Sequence, residues 1–173
     1  MSTNMKLLAV MVLAFAAIQV VPVDRSAPED HQPLSIDDVA VANLMERACV
    51  DCHTNHTSWP WYSRVAPVSW WVVDHVQEGR SELNLSRWGD LDDRRRDHKL
   101  EELIEMVEDG EMPLSSYTWG HPDARLTDDE RETLIRWARS IRNQLGVSTA
   151  AEETPREESP DSQSGSDQRA DGG

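Results

Sequence analysis

The chain has 173 residues, room for one modest domain with appendages, and 17 Lys and Arg stand against 32 Asp and Glu for a formal net charge of −15. That sign argues against nucleic-acid binding, which needs cationic side chains to neutralise phosphates. Only two cysteines occur, so thiol chemistry is confined to a single pair.

Lys6 is followed by an apolar run from Leu7 to Val21, closed by Pro22, and charges return at Asp24 and Arg25. One cation before an apolar stretch is the layout of a secretory signal or an N-terminal anchor. Ala14-Phe15-Ala16 offers a small-x-small cleavage site, yet the run continues to Val23. A span of about 17 apolar residues is at the short end for a membrane helix. Residues 1–23 are therefore read as a signal-anchor or signal peptide, with the uncleaved anchor preferred. The rest of the chain is then exported, held at the plasma membrane by residues 7–23 and periplasmic or otherwise extracytoplasmic. Residues 24–34 follow as a linker.

Residues 35–146 carry four segments of helical periodicity and no sustained alternation, so the domain is expected to be all-α. The first helix is expected to start at Ser35, with Asp38 three residues on in a capping-box-like arrangement. Val39, Ala42, Leu44 and Met45 form its apolar face. The second starts near Pro67-Val68, runs through Trp70, Trp71, Val72, Val73 and Val76, and stops at Gly79. The third lies between Asp90 and Gly110, with Leu100, Leu103, Ile104 and Val107 as its buried stripe. The fourth takes Thr127 as N-cap and Glu130 as the capping-box partner, buries Leu134, Ile135, Trp137, Ala138 and Ile141, and ends at Gly146. Residues 147–173 are acidic and almost without apolar side chains. They read as a disordered tail whose role is solubility.

Both cysteines fall in Cys49-Val50-Asp51-Cys52-His53. C-x-x-C-H is the attachment pattern of a c-type haem: two thiols form thioethers to the vinyl groups, and the adjacent imidazole is held beneath the iron. A thioredoxin-like couple would need a βαβ context, which is missing. A structural zinc site would need a second ligand pair at comparable spacing. Cys49, Cys52 and His53 are thus the expected haem-holding residues, and His53 the proximal ligand.

For the opposite face, Met112 stands out in Gly110-Glu111-Met112-Pro113, just before the loop that leads to the last helix. A thioether ligand stabilises ferrous iron and suits electron transfer. His75 and His121 are its competitors; each has an alternative use, His75 bonding a carbonyl or propionate and His121 serving as a propionate partner. His98 sits among charges and reads as solvent-exposed, and His56 is too close to His53 to reach the opposite face. The proximal Nδ1–H needs an acceptor that fixes the ring, expected among the carbonyls of residues 60–67. Trp59-Pro60-Trp61-Tyr62 and Trp70-Trp71 are expected mainly to wall the crevice and place their N–H groups on nearby acceptors.

These residues resemble the small bacterial haem-binding domain proteins among c-type cytochromes. The resemblance rests on Cys49 to Asn55, Trp59-Pro60-Trp61-Tyr62, Pro67-Val68-Ser69-Trp70, Asp74 to Arg80, Met112-Pro113-Leu114, Tyr117, His121-Pro122 and Leu126 to Trp137. It implies a cytochrome c-like helical domain, similar to class I, wrapped around one covalently attached haem c, with a late methionine as sixth ligand. The loop from Met112 to Thr127 is longer than in compact cytochromes of that class, which brings His121 into play.

A single-electron carrier is the expected function. The alternative is a peroxidase-like enzyme or a gas or redox sensor with an open distal iron site. No paired acid–base constellation marks a catalyst, so enzymatic activity is not expected. Within residues 35–146, 22 Asp and Glu face 13 Lys and Arg. An acidic surface of this kind can steer a redox partner with a basic docking face, or simply serve solubility.

Overall fold

The computed structural model describes residues 2–146; the tail expected over 147–173 lies outside them. Seven α-helices follow in chain order: α1 (Thr3–Ile18), α2 (Val39–Ala48), α3 (Val50–His53), α4 (Val68–Glu82), α5 (Asp93–Glu108), α6 (Ser115–Gly120) and α7 (Asp128–Leu145). Short 3₁₀ turns occupy Trp61–Arg64, Leu85–Asp90 and Pro122–Ala124. No strand occurs among the described residues. The domain is all-α, as its periodicity predicts.

The helix boundaries follow from capping chemistry. α7 has the expected capping box: Thr127 Oγ1 accepts from the Glu130 N–H, and the Glu130 carboxylate accepts from the Thr127 N–H at 2.8 Å. It closes at Gly146, whose φ of +67° is the left-handed C-cap conformation glycine adopts without strain. α2 begins later than the Ser35 start expected from sequence. Asp38 is the N-cap, with its carboxylate accepting from the Ala40 and Val41 N–H groups at 2.8 and 3.2 Å. An aspartate beside the first turn satisfies two orphan donors, whereas Ser35 only reaches Asp37.

Gly79 does not end α4, which runs on to Glu82. The glycine answers a packing demand instead: a Cβ there would lie 3.0 Å from the Cys52 carbonyl oxygen and 3.2 Å from the Cys52 Cβ. Bare backbone lets α4 approach α3 this closely.

Two adjoining clusters make the core. One gathers Val41, Leu44, Met45 and Ala48 of α2 with Leu85, Leu126 and Leu134. The other packs Leu100, Ile104 and Val107 of α5 against Ile135 and Ala138 of α7, with Trp88. Asp97 near the start of α5 meets Arg142 near the end of α7, while Gly110, just past α5, lies near Arg131 at the start of α7. The two helices therefore run antiparallel. The Asp97–Arg142 pair is bidentate, at 2.8 and 3.1 Å, and nearly buried.

No residue of α1 is buried, and among the described residues no helix is long and apolar enough to cross a membrane. The segment after α1 lies bonded along the domain. Gln19 exchanges two hydrogen bonds with the Ala66 backbone, donating at 3.1 Å and accepting at 2.9 Å. Arg25 donates to the Ser63 carbonyl at 2.5 Å and lies over the Trp59 ring. Asp30 holds Asn55 and His56, and His31 holds Asp90. Residues 24–34 contain no apolar run, which is why they read as a linker. Their fastening is polar, and Leu34 alone joins the core.

Candidate functional site

α2 delivers the cysteine pair. Cys49 closes that helix, its N–H donating to Met45 O at 2.9 Å, and its φ/ψ of −127°/−40° separates α2 from the single turn of α3. Cys52 and His53 then both donate their N–H groups back to Cys49 O, at 3.2 and 2.9 Å. Cysteines three apart on one turn project to the same side, which two thioether bonds to one flat ring require. Burial pushes the Cys49 thiol up to about 12 and the Cys52 thiol up to about 11.

His53 is oriented by α4. Its Nδ1–H donates to the Leu83 carbonyl at 3.0 Å, leaving Nε2 as the lone-pair nitrogen. The acceptor thus lies past α4 and not among residues 60–67. Burial pulls His53 below the ordinary histidine value, opposed by the Leu83 carbonyl it donates to. A neutral imidazole with Nδ1 committed is the form that ligates a metal. Arg80 pins the chain beyond the motif, donating to Thr54 O and Thr57 Oγ1, both at 2.8 Å. Asn84 Nδ2 donates to Asn55 Oδ1 at 2.9 Å, and Ser86 Oγ accepts from the Asn55 N–H.

Beside the motif lies a cavity of about 370 Å³, lined by Cys52, by Trp59 to Tyr62, by the first half of α4 and by α6 with its C-cap. That volume falls within the roughly 300–1,000 Å³ of cofactor clefts, and a mainly apolar, aromatic lining is their usual character. Trp61 and Trp119 at its margin are 77 and 85 % exposed. Of the expected wall, Trp59, Trp61, Tyr62 and Trp71 line the cavity, whereas Trp70 does not, and its buried Nε1–H has no acceptor among the described residues.

His75 and His121 both line this cavity. His75 Nδ1–H donates to Trp71 O and His121 Nδ1–H to Tyr117 O, each at 3.0 Å and each within its own helical segment. His121 also stacks on the Tyr117 ring, centroids 4.1 Å apart. Met112 does not line the cavity; its N–H donates to the carbonyl of Met106 in the last turn of α5. His98 is exposed beside Glu101 and Glu102, and His56 pairs with Asp30.

Sequence reasoning passes over Tyr117 and Asp51 as site residues. Tyr117 Oη donates to Asp51 Oδ2 at 2.8 Å, which ties α6 to the residue between the two cysteines. Burial and then this carboxylate push the Tyr117 phenol well above its ordinary value. The other Asp51 oxygen accepts from the Ser58 N–H at 3.0 Å. An aspartate inside the motif, facing a tyrosine from a distant loop, is the signal that was available.

Among the described residues, no group of three or more His, Cys, Asp and Glu is placed to hold a metal ion by itself. The donor set instead fits a group that brings its own equatorial ligands: two free thiols on one turn, an oriented imidazole and an adjoining apolar cavity. A haem-binding domain family model matches residues 13–140. No curated protein and no solved structure matches the chain. With the match spanning most of its length, the chain belongs to the haem-binding domain family.

Proposed function

We propose that the protein is an exported mono-haem c-type cytochrome that carries single electrons, with haem c joined covalently to Cys49 and Cys52 and ligated by His53. The observation that carries this reading is His53 Nδ1–H committed to Leu83 O, on a turn whose Cys52 lines an apolar cavity. When bound, haem supplies an iron that cycles between ferric and ferrous states.

The chain's own residues then have separable roles. Leu83 and Gly79 seat the motif from behind, and Arg80 holds the loop that follows it. Trp59, Tyr62, Val72 and Val76 line the cavity and would shield a bound haem from water, and low solvent access limits the reorganisation that accompanies electron transfer. Export and retention at the plasma membrane through residues 7–23 complete the proposal. Lys6 ahead of the apolar run supports them, as does a helix α1 that contributes nothing to the core. A redox partner with a basic face is the proposed client of the acidic surface.

The test is made on protein produced with haem-maturation machinery. Haem should stay with the polypeptide through denaturing electrophoresis, and the purified protein should be reduced and reoxidised reversibly. The Cys49→Ala, Cys52→Ala variant should lose covalent haem. Haem that is extracted from the wild-type chain by acidified organic solvent would sink the covalent reading. Fractionation of cells, with the mass of the mature chain, tests export and retention of residues 7–23.

A further inference from the structure

We infer that His121 supplies the second axial ligand of the haem iron, with Tyr117 as the residue that positions it; this rests on the haem c reading above. The cavity has two helical walls. One is α4, which packs against α3 and against the turn at 61–64. The other is α6, which packs instead against the turn at 122–124 and, through that turn, on α2.

The proximal side belongs to α4. Leu83 O accepts a hydrogen bond from the His53 Nδ1–H, and Gly79 lies against Cys52. Gly79 follows His75 by one turn, so His75 stands on the face of α4 that lies against Cys52. A ligand for the other side of the ring has to come from the other wall. α6 provides His121 there, lining the cavity.

Three contacts preorganise that imidazole. Its Nδ1–H donates to Tyr117 O at 3.0 Å, so Nε2 keeps the lone pair. Its ring stacks on Tyr117 with planes 17° apart. Tyr117 in turn donates to Asp51 Oδ2 at 2.8 Å, which registers His121 against the attachment motif itself. This is the support a precise ligand needs, with the group that orients it anchored in turn. Met112 has none of it: it lies off the cavity, with its backbone turned to the end of α5.

The experiment compares absorption and electron paramagnetic resonance spectra of haem-loaded wild type, His121→Ala, His75→Ala and Met112→Ala. Wild type should be low-spin in both oxidation states, with a bis-histidine resonance and no methionine–iron charge-transfer band. His121→Ala should become high-spin when oxidised and take carbon monoxide rapidly when reduced. His75→Ala and Met112→Ala should stay low-spin. In His121→Gly, added imidazole should restore the low-spin spectrum.

A methionine–iron band in wild type that vanishes in Met112→Ala overturns the inference, as does a high-spin wild type. A low-spin His121→Ala with unchanged spectra overturns it too. Should the His121 variants not accumulate, the wild-type resonance and the presence or absence of that band decide the matter. Haem that leaves the denatured wild-type chain refutes the covalent reading. Covalent haem with an unaltered His121→Ala refutes only the distal assignment.

Discussion

Gly79→Ala sets two effects of opposite sign against each other. In an ordinary helix interior, replacing glycine by alanine stabilises by about 1 kcal/mol, since alanine has the higher helix propensity. At Gly79 the added Cβ would sit 3.0 Å from Cys52 O, 3.2 Å from Cys52 Cβ and 3.4 Å from Cys52 C. Two of these three atoms are backbone, and the third belongs to a side chain that thioether formation would fix, so none can swing away. Overpacking of this kind costs roughly 1–3 kcal/mol. The steric cost is expected to win, leaving the variant about 1 kcal/mol less stable and the Cys52 turn displaced from α4. Denaturant unfolding of the haem-loaded protein measures the first effect. The fraction of chain carrying covalent haem measures the second. Ser81→Ala, on an exposed face of the same helix, serves as the control that should be neutral or stabilising. A Gly79→Ala protein stabilised by the full propensity gain, with normal haem content, would refute the close-approach argument.

Arg142→Met strands the nearly buried Asp97 carboxylate and should cost on the order of 3 kcal/mol. Adding Asp97→Leu should recover much of that loss, as denaturant midpoints of the single and double variants will show. Thr127→Ala removes the acceptor that caps α7 and should lower stability by about 1 kcal/mol, read from the same midpoints. In the haem-free chain the thiols are held near 12 and 11, above their ordinary 9.0. Below pH 9 both folded and unfolded chains keep neutral thiols. Above it the unfolded chain ionises first, so stability should decline from pH 9 through 11–12. Replacing both cysteines by serine should remove that decline from a plot of unfolding midpoint against pH. A decline of equal size in the serine variant would assign it to other groups.

Local features of the fold were readable because local chemistry determines them. The α7 capping box needs only Thr127, Glu130 and the intervening backbone, and its closure needs only a glycine at 146. The buried stripes of α5 and α7 follow from period alone, since Leu100, Ile104 and Val107 recur at helical spacing. What stayed hidden was each feature that depends on a distant partner. Gly79 resembles a helix stop until Cys52 is known to lie against it. The acceptor for His53 sits 30 residues downstream, where nothing in the sequence marks one carbonyl among many. Residues 24–34 contain no apolar run, yet hydrogen bonds through Asp30 and His31 hold them to the loops around the motif. α6 is six residues long, too short for periodicity to reveal.

The same distinction explains why the two sides of the cavity were unequally legible. The side that carries Asp51 and Cys52 belongs to a contiguous motif, so the covalent geometry of five residues already restricts it. The opposite side depends on which of several soft or imidazole donors the tertiary fold brings to one wall, and no spacing rule relates Met112, His75 and His121 to Cys52. Hydrogen bonding supplies the missing information. His53, His75 and His121 each commit Nδ1–H to a carbonyl at 3.0 Å, so tautomer does not separate them. Their supports do. His53 is held by the end of α4 and His75 by an earlier turn of the same helix, whereas His121 is held by Tyr117, whose hydroxyl reaches back to Asp51. One aspartate between the two cysteines therefore connects the cysteine turn to the far wall. A Tyr117→Phe change would break that connection while leaving the ring stacking and the Nδ1 bond of His121 in place.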